Sequence, residues 1–156
     1  MSRRKAAKKR FVNPDPIYNS IIVSMMINRI LLKGKKSLAQ HILYQSMKNI
    51  KESTQIDPLE VLKKAITNAT PIIEVKPRRV GGATYQVPVE VKSERGNSLA
   101  LRFIIRSARN RPGKNIISKL VNEIIDAYNN TGNSVKKKDE IHKIAESNKA
   151  FANLRF

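Results

Sequence analysis

Apolar residues recur at helical spacing along most of this chain and switch to strict alternation in one place. That place is Pro71 to Val91. Tyr85, Val87, Val89 and Val91 alternate there with Thr84, Gln86, Pro88 and Glu90, as in a half-buried strand. Ile72 to Lys76 is a shorter β-rich run. Between the two lies Pro77-Arg78-Arg79-Val80-Gly81-Gly82, whose glycine pair permits positive φ and a chain reversal. The pattern predicts a β-hairpin over about residues 72–91, with Lys76, Arg78 and Arg79 near its turn. Pro88 has no N–H to donate, so its strand is an edge. A lone hairpin is marginal in water, so this one has to lean on helices at its base.

The flanking segments read as helices. Ser20 to Leu32 is apolar nearly all round, which predicts a buried helix ending at Lys33-Gly34. In the next run, Leu38, Ile42, Leu43, Met47 and Ile50 keep helical spacing, with Ser37 placed as N-cap. Asp57-Pro58-Leu59-Glu60 is a helix start, with Asp as N-cap, Pro in the first turn and an acid near the positive helix end. Ser93 to Arg109 carries Arg95, Arg102, Arg106 and Arg109, spaced to share one helix face. No acid lies between Glu94 and Arg109, which argues against an internally paired face. Asn115 to Tyr128 is amphipathic, and a last helix runs from about Ser134 to Ala150. The fold class is therefore mainly α: about six helices in a bundle-like domain over residues 14–156, with one protruding β-hairpin arm. Residues 1–13 hold Arg3, Arg4, Lys5, Lys8, Lys9 and Arg10 without an apolar face and read as a disordered basic arm.

Charge turns this fold into a binding protein. Lys and Arg number 31 against 12 Asp and Glu, a net charge of +19. So large an excess is self-repelling and calls for a polyanionic partner. Only 5% of residues are aromatic, so no stacking platform is available and recognition runs through phosphate, sugar and shape. The absence of cysteine removes disulfides and thiolate-ligated metals. With only His41 and His142 besides, no metal, cofactor or catalytic constellation is expected. No apolar run reaches the roughly 18 residues that suggest a membrane span. Two readings stand for Lys136-Lys137-Lys138: an anion contact or a solvated charge run. A basic hairpin and a basic helix face do not by themselves separate RNA from DNA, and an architectural DNA-binding protein with a β-arm is the alternative.

Ordered motifs narrow this choice. Asp15-Pro16-Ile17-Tyr18, then Asn28-Arg29-Ile30 leading to Gly34-Lys35-Lys36-Ser37-Leu38-Ala39, then Pro58-Leu59-Glu60-Val61 follow one another. The run from Glu74 to Val91, Leu99-Ala100-Leu101-Arg102, Arg111-Pro112-Gly113 and the run from Ala145 to Ala152 continue the series. In these motifs the chain resembles the small-subunit ribosomal proteins of the seventh family, in their bacterial and organellar form. It departs at Phe103, where the family often has Trp, at Ile141 before His142, and in the ending Asn153-Leu154-Arg155-Phe156.

The resemblance implies a primary rRNA-binding protein that nucleates assembly of the small-subunit head. It implies a position at the head–platform interface, beside neighbouring head and platform proteins and near the exit-site tRNA and the mRNA path. Some family members also repress their own message. Carried over by position, the RNA-contacting candidates are Arg3, Arg4, Lys8, Lys9 and Arg10 of the arm, and Lys35 and Lys36 of the signature region. Lys76, Arg78 and Arg79 come from the hairpin, Arg95, Arg102, Arg106 and Arg109 from the stripe, and Arg111 and Lys114 from the turn after it. The family-like body begins by Asp15, and the chain is rich in Ile, Lys and Asn. These features favour a plastid (chloroplast) stromal ribosome, with the bacterial cytoplasm as the alternative and a mitochondrial form third.

Overall fold

The structure is a computed structural model and describes residues 11–154. The basic residues Arg3, Arg4, Lys8, Lys9 and Arg10 lie outside the described residues. The elements run α1 (Ile21–Ile30), α2 (Lys36–Thr54), α3 (Pro58–Ala69), β1 (Ile73–Val80), β2 (Ala83–Glu90), α4 (Ser93–Asn110), α5 (Ile116–Tyr128) and α6 (Gly132–Ser147). A 3-10 turn over Lys149–Leu154 follows. Six helices with one antiparallel hairpin among the described residues bear out the mainly-α expectation.

The core is aliphatic. α5 is its centre, packed on α2, α3, α4 and α6. Leu120 and Ile124 of α5, Leu43 and Met47 of α2, Leu62 of α3 and Ile104 of α4 are all but sealed from solvent. Each such side chain contributes roughly 1.5–3 kcal/mol through burial. Local signals set several boundaries. The Asp57 carboxylate accepts the Leu59 N–H at 3.2 Å, and the Asn115 side chain accepts the Ile117 N–H at 2.9 Å. At the α5 terminus the Asn68 amide donates to the Ala127 and Tyr128 carbonyls.

Three helix expectations are corrected. α1 is not buried all round: Ile21 is exposed, and so is Leu32 just beyond its end. It stops at Ile30, and Lys33 and Gly34, both with positive φ, form the turn that follows. Ser37 is not an N-cap, because α2 begins at Lys36 with Lys35 at the cap position and no side-chain cap bond. α6 starts earlier, at Gly132, and gives way to the 3-10 turn after Ser147.

The hairpin spans the residues predicted, but β1 is longer and the turn tighter than expected. β1 runs through Val80, so Pro77, Arg78 and Arg79 are strand residues rather than turn residues. Only Gly81 and Gly82 turn, with φ of 57° and 89°. Two positive φ values match a type I′ turn, whose twist suits paired strands. Val80 pairs with Ala83, Arg78 with Tyr85, Lys76 with Val87 and Glu74 with Val89. Counting from a two-residue turn, these are the hydrogen-bonded pairs. Pro77 and Pro88 fall in the alternate pairs, where an N–H would point away from the partner strand.

The hairpin base is tied to the helices. The Ile72 N–H donates to His142 Nε2 of α6 at 3.1 Å. Arg95 of α4 grips both Glu74 carboxylate oxygens through Nε at 2.8 Å, and Lys76 Nζ lies 3.1 Å from Glu74 Oε1. The stripe is therefore not free of internal pairing, as its local sequence suggested, because its acid comes from a strand 21 residues away. Burial pushes the Glu74 carboxyl up, but its bonds and charge contacts with Arg95 and Lys76 outweigh this and hold it below the usual range.

A second clamp joins α4, α5 and α6. Glu123 is fully buried on α5. Arg111, just past α4, donates from Nε to Glu123 Oε2 at 2.6 Å and from Nη2 to the Asp126 carboxylate. The remaining Glu123 oxygen accepts the Ser134 N–H in the first turn of α6 at 2.8 Å. Gly132 permits this approach: at its φ of 87°, an added Cβ would lie 2.9 Å from Asp126 Cβ.

Two outcomes follow from these clamps. Arg111→Ala leaves Glu123 buried without its cation and should cost about 3 kcal/mol in urea denaturation, whereas Arg106→Ala, on the surface, should stay within about 0.5 kcal/mol. Equal effects would remove the clamp's special standing. For Glu74, a depressed folded-state pKa means stabilisation that is complete above the unfolded value of about 4.3 and lost as pH falls through the folded value. Thermal melts should show wild type ahead of Glu74→Gln at neutral pH and level with it at strongly acid pH.

Candidate nucleic-acid interface

Positions four and three apart put Arg102, Arg106 and Arg109 on one face of α4. All three are exposed, while Leu101, Ile104, Ile105 and Ala108 take the core side. Arg102 and Arg106 have no ion-pair partner among the described residues. Each lines two shallow grooves. One groove, of about 390 Å³, lies toward α1 and is bordered by Arg29, Arg102, Arg106 and Arg109. The other, of about 430 Å³, lies toward α6 and is bordered by Arg102, Phe103, Arg106, Asn133, Lys136 and Lys137, with Glu140 as its one acid. The N-terminal end of α6 adds its partial positive charge to the second groove. Two cationic grooves sharing a ridge of arginines suit a ribose–phosphate backbone on either side of the ridge.

Arg29, part of the Asn28-Arg29-Ile30 motif, was not among the contact candidates read from sequence. It sits in the last turn of α1 with its guanidinium on the Ser98 hydroxyl. Burial, then the nearby Arg102 charge, lower its pKa from the ordinary arginine value. Two guanidiniums held this close without an intervening acid favour an anion between them. The available signal was a polar break, Asn28-Arg29, in an otherwise apolar helix.

The other candidates divide. Lys35 and Lys36 are exposed around the α1–α2 turn, and Lys114 is exposed in the α4–α5 loop. Arg78 and Arg79 are exposed and, being adjacent on a strand, point to opposite faces of the hairpin. The arm thus offers one guanidinium per face rather than a single patch. Arg95 and Lys76 share Glu74. Arg109 also donates to the Ile30 carbonyl at 3.1 Å, closing the α1 terminus. Arg111 is turned inward to Glu123 and Asp126. In the lysine triplet, Lys137 pairs with Glu140 at 2.6 Å and Lys138 donates to the Asn68 carbonyl at 3.0 Å, while Lys136 stays exposed.

Several acids are drawn into the interior, while Glu140 stays exposed on the edge of the groove toward α6 and pairs with Lys137. Asp15 is buried and accepts the Tyr44 hydroxyl at 2.7 Å, and burial together with that bond pushes the Tyr44 pKa up to about 12. Glu74 and Glu123 are buried too. Among the described residues no group of three or more His, Asp or Glu side chains is placed to hold a metal ion. No described helix is long and apolar enough to cross a membrane.

Comparison with known proteins identifies the family. Residues 2–149 match the family described as ribosomal protein S7p/S5e. The chain is 63% identical over 156 residues to small ribosomal subunit protein uS7c of Euglena gracilis, covering 100% of both chains. It is 59% identical to uS7 of the cyanobacterium Acaryochloris marina and 59% identical to uS7c of Ostreococcus tauri, again over 100% of each chain. With full-length matches of this strength, the chain belongs to the S7p/S5e family of ribosomal proteins and is a structural, non-enzymatic component of the small ribosomal subunit.

Proposed function

We propose that this chain is a primary binder of small-subunit rRNA in the head. In this reading the arginine ridge of α4 seats between two RNA backbone segments. Arg29 and Arg109 take phosphates in the groove toward α1, and Lys136 takes them in the groove toward α6. Lys35, Lys36 and Lys114 extend the contact at the helix ends. Arg95, Lys76 and Arg111 serve mainly the fold. The carrying observation is the ridge itself, where Arg102 and Arg106 face solvent without an acid partner among the described residues. Arginine forks match phosphate oxygens in pairs, and a surface so charged lacks compensation until RNA arrives.

The hairpin reaches past the helical body with Arg78 and Arg79 on its two faces. This geometry suits an arm inserted between two strands of nucleic acid, consistent with a site near the mRNA path and exit-site tRNA at the head–platform interface. Neighbouring head and platform proteins complete that setting. The similarity to algal uS7c proteins supports a plastid ribosome, and the similarity to cyanobacterial uS7 proteins keeps the bacterial cytoplasm as the alternative.

A salt titration tests the reading. Binding to an rRNA head-junction fragment should fall with log salt by roughly 0.7–0.9 per phosphate contacted. Arg102→Ala and Arg106→Ala should each lower that slope by about one phosphate's share. Tight rRNA binding near physiological salt, with duplex DNA of equal length binding much more weakly, is the expected result. Equal slopes and affinities on both would return the arm to the architectural DNA reading.

A further inference from the structure

The hairpin would be a poor reader of RNA if it swung freely, since a two-stranded ribbon has no layer of its own to stiffen it. Its base is fixed by His142 and by the Arg95–Glu74 clamp. Neither reaches the outer half of the arm. A third contact does. The Tyr85 ring on β2 lies against the Phe151 ring of the C-terminal 3-10 turn, with centroids 5.1 Å apart and planes tilted by 47°. Tilted aromatic pairs at this separation are attractive beyond the area they bury.

The register gives this contact its meaning. Tyr85 is the direct cross-strand partner of Arg78, so both side chains rise from the same face of the ribbon. Beyond them Arg79, Val80, Gly81, Gly82, Ala83 and Thr84 are all exposed. Phe151 therefore touches the arm at the level of the exposed Arg78, half a strand beyond Glu74. It is joined to α6 through only a short break, and α6 is anchored in turn by the Ser134–Glu123 bond.

We propose that Phe151 is a positioning residue for the hairpin arm: by bracing Tyr85 it fixes the direction in which Arg78 and Arg79 are presented. The C-terminal turn is thus a splint rather than a tail. The consequence for RNA affinity rests on the reading given under Proposed function, but the bracing itself does not. If the brace is removed and the arm is correctly aimed about one fifth of the time, apparent affinity should weaken about fivefold. The number of phosphates contacted does not change, so the salt slope should hold.

The chain contains no cysteine, so two introduced ones can carry spin labels without a background. Lys48→Cys on α2 and Val80→Cys near the hairpin tip report the distance from body to arm by pulsed electron resonance. Wild type and Phe151→Tyr should give one narrow distribution. Phe151→Ala should broaden it, and Tyr85→Leu should do the same from the arm side while leaving the C-terminal sequence intact. The melting temperature of the helical body should stay within a few degrees. An unchanged width in both variants overturns the brace. Broadening without loss of rRNA affinity keeps the brace and overturns the arm's part in RNA binding. A fall in salt slope with Phe151→Ala would show Phe151 helping to make a phosphate contact and would overturn a purely positioning role.

Discussion

One fully buried carboxylate, Glu123, sits where three helices meet, and their mutual arrangement depends on its being satisfied. An isolated charge there would cost several kcal/mol. It persists because Arg111 approaches from the end of α4 and the Ser134 N–H from the start of α6. Such a network adds little net stability compared with an apolar core of the same shape. What it adds is geometry. Arg111 fixes where α4 stops, and the Ser134 bond fixes where α6 starts. The groove between those two helices, with Arg102, Arg106 and Lys136 on its edges, inherits its width from this one carboxylate.

Charge in this protein is sorted by depth. The few acids that are buried hold the fold together: Asp15 receives Tyr44, Glu74 receives Arg95 and Lys76, and Glu123 receives Arg111. Glu74 and Glu123 engage Arg95, Lys76 and Arg111, and Arg102 and Arg106 have no ion-pair partner among the described residues. The formal charge of +19 is thus concentrated along the Arg102–Arg106 ridge, where Glu140 is the one acid on the groove toward α6. A fold made this way is tuned for the complex with a polyanion, and the free chain carries the repulsion.

Much of this was readable in advance, for local reasons. Asp57-Pro58 starts α3 and Asn115 caps α5 because a short polar side chain before an apolar period meets the free N–H groups of the first turn. Alternation from Thr84 to Val91 marked β2, and Gly81-Gly82 marked its reversal. What escaped was non-local. Nothing near Arg95 or Arg111 reveals that Glu74 and Glu123 lie within reach, since those pairs are 21 and 12 residues apart in sequence. The same holds for Arg29, which acquires its neighbour Arg102 only when α1 packs beside α4. Ser37 misled because a capping residue type is common and the chain instead turns at Lys33-Gly34, placing Lys35 at the cap. Sequence named the basic positions, and packing decided which of them remained free.

Pro77 and Pro88 have an effect that reaches past the single molecule. The open edge of an exposed strand is a template onto which another strand can add. On this hairpin both prolines occupy positions whose N–H would have pointed away from the partner strand; Pro88 is buried toward the base, and Pro77 stands exposed on the outer half of β1. A second copy of the arm finds a donor missing where the ladder would have to continue. The ribbon can therefore stay in solution as a single arm before RNA covers it, and it engages a partner through its side chains rather than by lending its backbone to a larger sheet.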